Sequence, residues 1–295
     1  METVIVTGGL GRAGRWVLDA LADDYDVVCL DFDHPGSDDR VEFIAADLAD
    51  GGETRDAIGA AAPDAVVHLA AYPNTRHHAG STVFENNVES AYNVLDAAGR
   101  AGADAVWTSS TAAYDRLYHP EAWPPDRLPV EESYPQASAS PYATSKIAGE
   151  AVAEMVHRRH GVPVVSLRPT LVVFPGDERM AENRAAFPPE APTGNFLSYV
   201  DARDLAALVA AALDADLAGH DHEAYNVTAD DQYLGRETTD ALDAVYGELP
   251  ADCELSGEDA LFSNRKAREA FGWAPEYTWR ETEADDTPAP SFGDE

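Results

Sequence analysis

Tyr142 and Lys146 stand four residues apart in the stretch SPYATSKIAGE, residues 140 to 150. On a helix that spacing puts both side chains on one face. A free phenol ionises near pH ~10 and is a poor base at neutrality. An ammonium beside it favours the phenolate and makes it a competent proton acceptor. The chain has 20 basic residues, and Lys146 and Lys266 are its only lysines. A surface lysine exchanges for arginine with little loss. A catalytic one does not, because a compact ammonium reaches hydroxyls and relays protons where a planar guanidinium is bulkier and keeps its proton. Upstream, VWTSSTAAY puts Ser109, Ser110 and Thr111 just after a strand-like run. A hydroxyl from that cluster can hydrogen-bond a carbinol or carbonyl oxygen while Tyr142 moves the proton.

VIVTGGLGRAGRWVLDAL places Gly8, Gly11 and Gly14 between a strand-like and a helix-like segment. In that context Gly8 suits a tight turn, Gly11 the approach of a pyrophosphate, and Gly14 close packing of helix on strand. Asp31 ends the next strand-like run. A carboxylate there accepts hydrogen bonds from adenosine ribose hydroxyls and repels a 2′-phosphate, so the expected cofactor is NAD rather than NADP. Arg12 argues the other way, since a guanidinium in this loop can meet a 2′-phosphate.

These groups need a frame that brings them to one edge. Short β-branched runs alternate with Ala- and Leu-rich segments: TVIVTGG, DVVCLDF, DAVVHLAAY, DAVWTSS and PVVSLRP are each followed by a helical pattern or a turn. Strands buried on both faces and separated by helices imply an α/β fold, a doubly wound parallel sheet with right-handed crossovers. Residues 1–169 are read as a dinucleotide-binding domain, completed by about 196–228. A small substrate-binding region is expected from 170–195 and 229–280. The stretch 281–295, ETEADDTPAPSFGDE, is acidic and Pro-rich and reads as a disordered tail.

The net charge is −34, from 54 acidic and 20 basic residues, and the acidic residues run through every segment. That distribution reads as a halophilic surface, tolerable where molar salt cuts screening lengths to about 3 Å. The same charge disfavours nucleic acid and anionic membranes as partners. No apolar run approaches the roughly 18 residues of a membrane helix, and no leader-like segment precedes TVIVTGG. Cys29 and Cys253 lie far apart with no metal-type spacing. A cytoplasmic protein without a disulfide framework or metal centre is expected.

The sequence resembles the extended short-chain dehydrogenases/reductases of the NAD-dependent epimerase/dehydratase family. The resemblance is carried by TGGLGRAG, Asp31, ADL (46–48), HLAA (68–71), NNVESAYNVLDAA (86–98), TSSTAAY, YATSK, SLRP and SNRKAREAFGWAP (263–275). It spans residue 3 to about 280 and implies a Rossmann-type sheet. It also implies Tyr142 as acid/base, Lys146 as its partner and Ser110 as the family's hydroxyl residue. Asp47 and Leu48 would then flank the adenine, and Leu69, Ala70 and Ala71 would line the cofactor channel. Asn87 and Pro169 would sit near the nicotinamide half.

The resemblance implies hydride transfer at a carbinol carbon of a sugar. In nucleotide-sugar epimerases of the family an Arg often precedes the late F-V-x-V-D strand; here GNFLSYVD puts Asn195 there. With the short segment after Pro169, this favours a dehydrogenase of a free aldose, sugar phosphate or uronate. A nucleotide-sugar epimerase or dehydratase with tightly held NAD is the alternative, and a non-catalytic NAD-binding protein a further one. Thr111, Asn74, Arg179 and Arg203 are candidate substrate contacts, Arg184 sharing the anion-binding chemistry of the latter two. Tandem histidines in NTRHH (74–78) lack a matching metal spacing and read as a loop at the pocket rim. A homodimer is expected, as relatives pair helices near 84–99 and 141–159.

Overall fold

Valine- and isoleucine-rich runs bounded by Gly, Pro and Asp form short strands, and the Ala- and Leu-rich stretches between them form helices. A computed structural model describes residues 2–114, 125–188, 197–215, 217 and 221–293. Its chain order begins β1 (Thr3–Thr7), α1 (Gly14–Leu21), β2 (Asp26–Asp31), β3 (Val41–Ala45), α2 (Gly51–Ala61), β4 (Ala65–His68) and α3 (Gly80–Ala101). Next come β5 (Asp104–Thr108), a 3-10 turn (Thr111–Tyr114), β6 (Arg127–Leu128), α4 (Pro141–His160), β7 (Val164–Pro169), β8 (Leu171–Val173) and α5 (Arg179–Ala185). The chain continues through β9 (Tyr199–Asp201), α6 (Ala202–Asp214), β10 (Glu223–Val227), α7 (Thr238–Tyr246), β11 (Asp252–Cys253), α8 (Arg265–Phe271) and α9 (Trp279–Ala284).

Seven strands make one parallel sheet in the order β10-β7-β5-β4-β1-β2-β3. Alternate strand residues feed opposite faces. Val4, Val6, Leu18, Leu205 and Val209 build the core under α1 and α6. Ile5, Ile58, Val94, Leu95 and Val156 build the one under α2, α3 and α4. Two covered faces explain why the strands read as continuous apolar runs. The chain leaves β3 at the sheet edge and re-enters at β4 beside β1. The loops after β1 and β4 therefore diverge at a switch point, where open α/β sheets bind ligands. A third core, with Tyr114, Leu128, Met180, Tyr199, Leu242 and Phe262, gathers the segments that follow the C-terminal ends of β5, β7 and β10. Among the described residues no helix is long and apolar enough to cross a membrane.

The expected disordered tail is ordered as far as residue 293. Thr278 and Glu281 form a capping box that starts α9. Thr282 Oγ1 donates to Asp201 at 2.6 Å. Glu283 accepts two bonds from Arg184, at 2.6 and 2.5 Å, and Asp285 pairs with Arg203. Farther on, Phe292 is 7% exposed, 6.4 Å from the Phe43 ring and under Arg40. Average composition predicts disorder here because it cannot register that a few carboxylates and one aromatic meet partners on distant elements. Phe292→Ala is expected to cost about 3 kcal/mol in denaturant unfolding at high salt; an unchanged midpoint would return the tail to disorder.

Candidate active site

Ser140 caps α4, its hydroxyl accepting from Ala143 N at 3.1 Å, and Pro141 takes a first-turn position where no N–H is needed. Tyr142 thus projects from the first turn, where the helix dipole favours an anion. Lys146, one turn on, is 4% exposed. Its Nζ donates to the Thr108 carbonyl at the end of β5, 2.8 Å away. It lies 5.7 Å from the Tyr142 ring centroid and 5.4 Å from that of Trp107. Ser110 is buried, accepts from Ala112 N at 3.1 Å, and stands close enough to the Tyr142 phenol to lower its pKa. The three residues proposed from sequence as the chemical set are brought together by β5 and α4.

Burial pushes the Tyr142 phenol above its ordinary value of 10, and the polar Ser110 hydroxyl nearby opposes that push. Burial draws Lys146 down from 10.5 to about 8, which leaves it mainly cationic at neutrality. His68, at the end of β4, is drawn down to about 3 by burial and then by the Lys146 charge. It stays neutral, its Nδ1 2.7 Å from Thr7 Oγ1.

Beneath this set lies a buried polar network. Ser109 Oγ donates to Glu150 at 2.6 Å, and Arg168 donates to both Glu150 oxygens at 2.7 and 2.5 Å. Arg168 also donates to the Tyr114 hydroxyl at 2.7 Å, and that hydroxyl donates to Asn226 at 2.7 Å. Against the upward push of burial, the Arg168 bonds hold Glu150 below its ordinary range. The network ties the ends of β5, β7 and β10 to α4, so it sets where Ser110 meets Tyr142. Sequence analysis missed it. Its signals were an Arg inside the doubly buried run PVVSLRP and a Glu one turn beyond Lys146.

The loop after β1 has the shape of a phosphate cradle. Gly8 has φ +69°, and a Cβ there would stand 2.7 Å from Ala70 Cα, at the switch point. At Gly14 a Cβ would stand 2.2 Å from the Gly8 carbonyl oxygen, so this glycine serves the loop's own closure more than packing of helix on strand. At Gly11 a Cβ would meet only the Gly8 carbonyl oxygen, at 3.1 Å, which leaves the outer face open. No side chain caps α1, whose N-terminus therefore faces a ligand position unblocked. Asp31 accepts from Leu10 N at 3.0 Å and Phe32 N at 2.8 Å, which holds a carboxylate beside the loop. A dinucleotide fits these groups: open backbone for the pyrophosphate, Asp31 for a ribose, and Lys146 with two of its three protons left for the other ribose.

The remaining sequence-predicted residues divide. Leu69, Ala70 and Ala71 are half-buried after β4, and Pro169 ends β7, its carbonyl accepting from Thr111 at 3.2 Å. Leu48 is buried in the core, and exposed Asp47 accepts from Ala49 N at 2.9 Å. Asn87 braces the fold, exchanging bonds with the Tyr72 backbone at 2.8 and 3.1 Å and donating to Ser145 at 3.2 Å. Arg12 is placed 3.6 Å from Asp177 and over the Phe174 ring, so Asp177 competes with any 2′-phosphate for it. Arg179 and Arg203 are corrected as substrate contacts. Arg179 is bound by Asp177 and the Val172 carbonyl, Arg203 by Asp201 and Asp285 while stacked on Tyr277. A loop or helix Arg in so acidic a chain finds an internal carboxylate first. Asn74 is exposed and caps Arg76 N at 2.9 Å. Asn195 lies outside the described residues.

The model of the NAD-dependent epimerase/dehydratase family matches residues 4–228. The chain belongs to this family. An L-arabinose 1-dehydrogenase (NAD(P)(+)) of Haloferax volcanii is 34% identical over 174 residues, covering 57% of this chain and 66% of that protein. The match thus spans just under two thirds of that relative's length. A UDP-glucose 4-epimerase of Streptococcus mutans is 28% identical across 93% of this chain and 92% of its own. A short-chain dehydrogenase/reductase superfamily protein from Agrobacterium tumefaciens, solved with bound NAD, is 26% identical. It superposes with a TM-score of 0.69 over 95% of this chain and 94% of that one. The epimerase/dehydratase family thus accounts for both the sheet and the glycine loop.

Lys146 has a consequence for stability. Between about pH 8 and 10.5 the unfolded chain holds a proton that the folded chain releases. The buried lysine therefore burdens the fold below that window and is relieved as pH rises through it. Lys146→Met should be at least as stable as the native chain at neutrality and should lose part of its rise toward the alkaline end, measured by urea unfolding at several pH values. An identical pH dependence in both would contradict the depressed lysine.

Proposed function

We propose that the protein is an NAD-dependent sugar dehydrogenase, oxidising a carbinol carbon of a free aldose, sugar phosphate or uronate. The observation that carries this reading is the Ser110, Tyr142 and Lys146 set, gathered by β5 and α4 at the C-terminal edge of a sheet whose first loop is an open glycine turn. Gly8, Gly11, Gly14 and Asp31 would hold NAD, with Lys146 on a ribose. When bound, the oxidised nicotinamide accepts the hydride that leaves the carbinol carbon. Ser110 orients the sugar hydroxyl by hydrogen bonding, and Tyr142 Oη takes its proton. The Lys146 charge favours the phenolate before transfer, and bulk base restores it afterwards. The identity to a Haloferax dehydrogenase supports this reading.

A second reading, a nucleotide-sugar epimerase, is favoured by the full-length match to the Streptococcus protein. In it the same residues take and return the proton and no reduced cofactor leaves. The cytoplasmic assignment is supported by two free thiols, Cys29 and Cys253. A halophilic origin is supported by the net charge of −34. Exposed Phe84 (36%) and Tyr92 (42%) on one stripe of α3 support a homodimer through that helix, which sedimentation at high salt would distinguish from a monomer.

A panel of aldoses, uronates, sugar phosphates and UDP-sugars with NAD in molar salt separates the readings. Release of reduced NAD in proportion to oxidised sugar is expected; interconversion of UDP-sugars with no net reduced cofactor would replace the dehydrogenase by the epimerase. Tyr142→Phe should lower kcat by about a hundredfold to ten-thousandfold. Full activity in that variant would remove the proposed acid/base.

A further inference from the structure

The charge of the sugar is left open by the catalytic set, and the cations around the cleft bear on it. Arg12, Arg168, Arg179, Arg184 and Arg203 are each paired with a carboxylate of the chain itself. A different situation holds in residues 73–79, PNTRHHA, between β4 and α3. Both ends of this loop are anchored beside the catalytic pair. At its start the Tyr72 backbone is held by Asn87, whose Nδ2 also donates to Ser145, the residue before Lys146. At its end Gly80 lies against Pro141, the residue before Tyr142, where a Cβ would stand 2.8 Å from Pro141 Cγ. The intervening residues are thus held near the first turn of α4, from which Tyr142 projects.

Arg76, His77 and His78 are consecutive in this loop and exposed. Asn74 Oδ1 accepts from Arg76 N at 2.9 Å and fixes the turn. His78 stacks on Tyr72 with ring centroids 4.0 Å apart and planes 13° apart, which braces the loop on its own anchor. The Arg76 guanidinium has no carboxylate partner among the described residues, although the chain carries 54 acidic side chains. The field of so negative a surface repels an anionic substrate. A guanidinium without an internal carboxylate partner, on a loop whose ends meet α4, provides the local attraction and the forked hydrogen bonds that a phosphate or carboxylate requires. Contact-range bonds of this kind survive the short screening length of concentrated salt.

We infer that the 73–79 loop is an anion-recognition element, in which Arg76, with His77 beside it, binds the phosphate or carboxylate of an anionic sugar whose carbinol reaches Tyr142. The inference rests on the dehydrogenase reading and narrows its substrate to sugar phosphates or uronates.

The test compares the native chain with Arg76→Gln and Arg76→Lys, using NAD with D-glucose 6-phosphate, D-galacturonate and L-arabinose at one high salt concentration. In Arg76→Gln the ratio of kcat/KM for the better anionic sugar to that for the neutral one should fall about tenfold or more, through KM. Arg76→Lys, which keeps the charge but loses the fork, should restore part of it. The phosphate and uronate arms report which anion the loop takes. An unchanged ratio in Arg76→Gln, or turnover of the neutral aldose alone, overturns the anion element and leaves the dehydrogenase standing. If no sugar reduces NAD, calorimetric titration of the same three sugars into the NAD-loaded protein decides. Anionic-sugar binding lost in Arg76→Gln then keeps the element while the dehydrogenase reading falls; unchanged binding, or none, overturns the element as well.

Discussion

An ammonium kept inside the protein is the constraint around which this site is arranged. Taking a charge out of water costs several kcal/mol unless something replaces the solvent. For Lys146 the replacement is the Thr108 carbonyl at 2.8 Å and the faces of Trp107 and Tyr142. The compensation is partial, so the lysine is drawn down to about 8 and yet remains charged at neutrality. The same burial that weakens the lysine raises the tyrosine beside it. The phenolate therefore needs the ammonium, the positive end of α4 and, when bound, the positively charged nicotinamide.

The fold meets that need by converging strand ends on one helix. β5 brings Thr108 to Ser110, β7 brings Arg168, and β10 brings Asn226, while α4 carries Tyr142, Lys146 and Glu150 on one face. The Glu150–Arg168 pair is buried and doubly hydrogen-bonded, and removal of either partner would leave an uncompensated charge. Such a pair contributes less to net stability than to geometry. It fixes the spacing between the hydroxyls after β5 and the phenol on α4, a distance on which proton transfer depends steeply.

Much of this was legible in the sequence, for identifiable reasons. The parallel sheet follows from doubly apolar strands alternating with helical runs, and the pairing of Tyr142 with Lys146 from one retained lysine a helical turn from a tyrosine. The glycine loop was readable because Gly8 and Gly14 sit where any Cβ would collide with backbone. What could not be read was long-range pairing. Arg203 and Asp285 are 82 residues apart, and Arg184 and Glu283 are 99, so nothing local showed that these arginines were already taken. The same pairings explain why a tail of disordered composition docks. The same holds for Asn87, whose side chain is engaged by the Tyr72 backbone and by Ser145, 58 residues on.

The coupling of Lys146 to Tyr142 is the central claim, and an ultraviolet titration of tyrosine ionisation in the NAD-loaded protein addresses it most directly. Subtracting the curve of Tyr142→Phe isolates the phenol. The account predicts a Tyr142 phenolate forming well below pH ~10 in the native complex and shifting upward when Lys146 is replaced by Met. A Tyr142 that titrates identically with and without the lysine would contradict it.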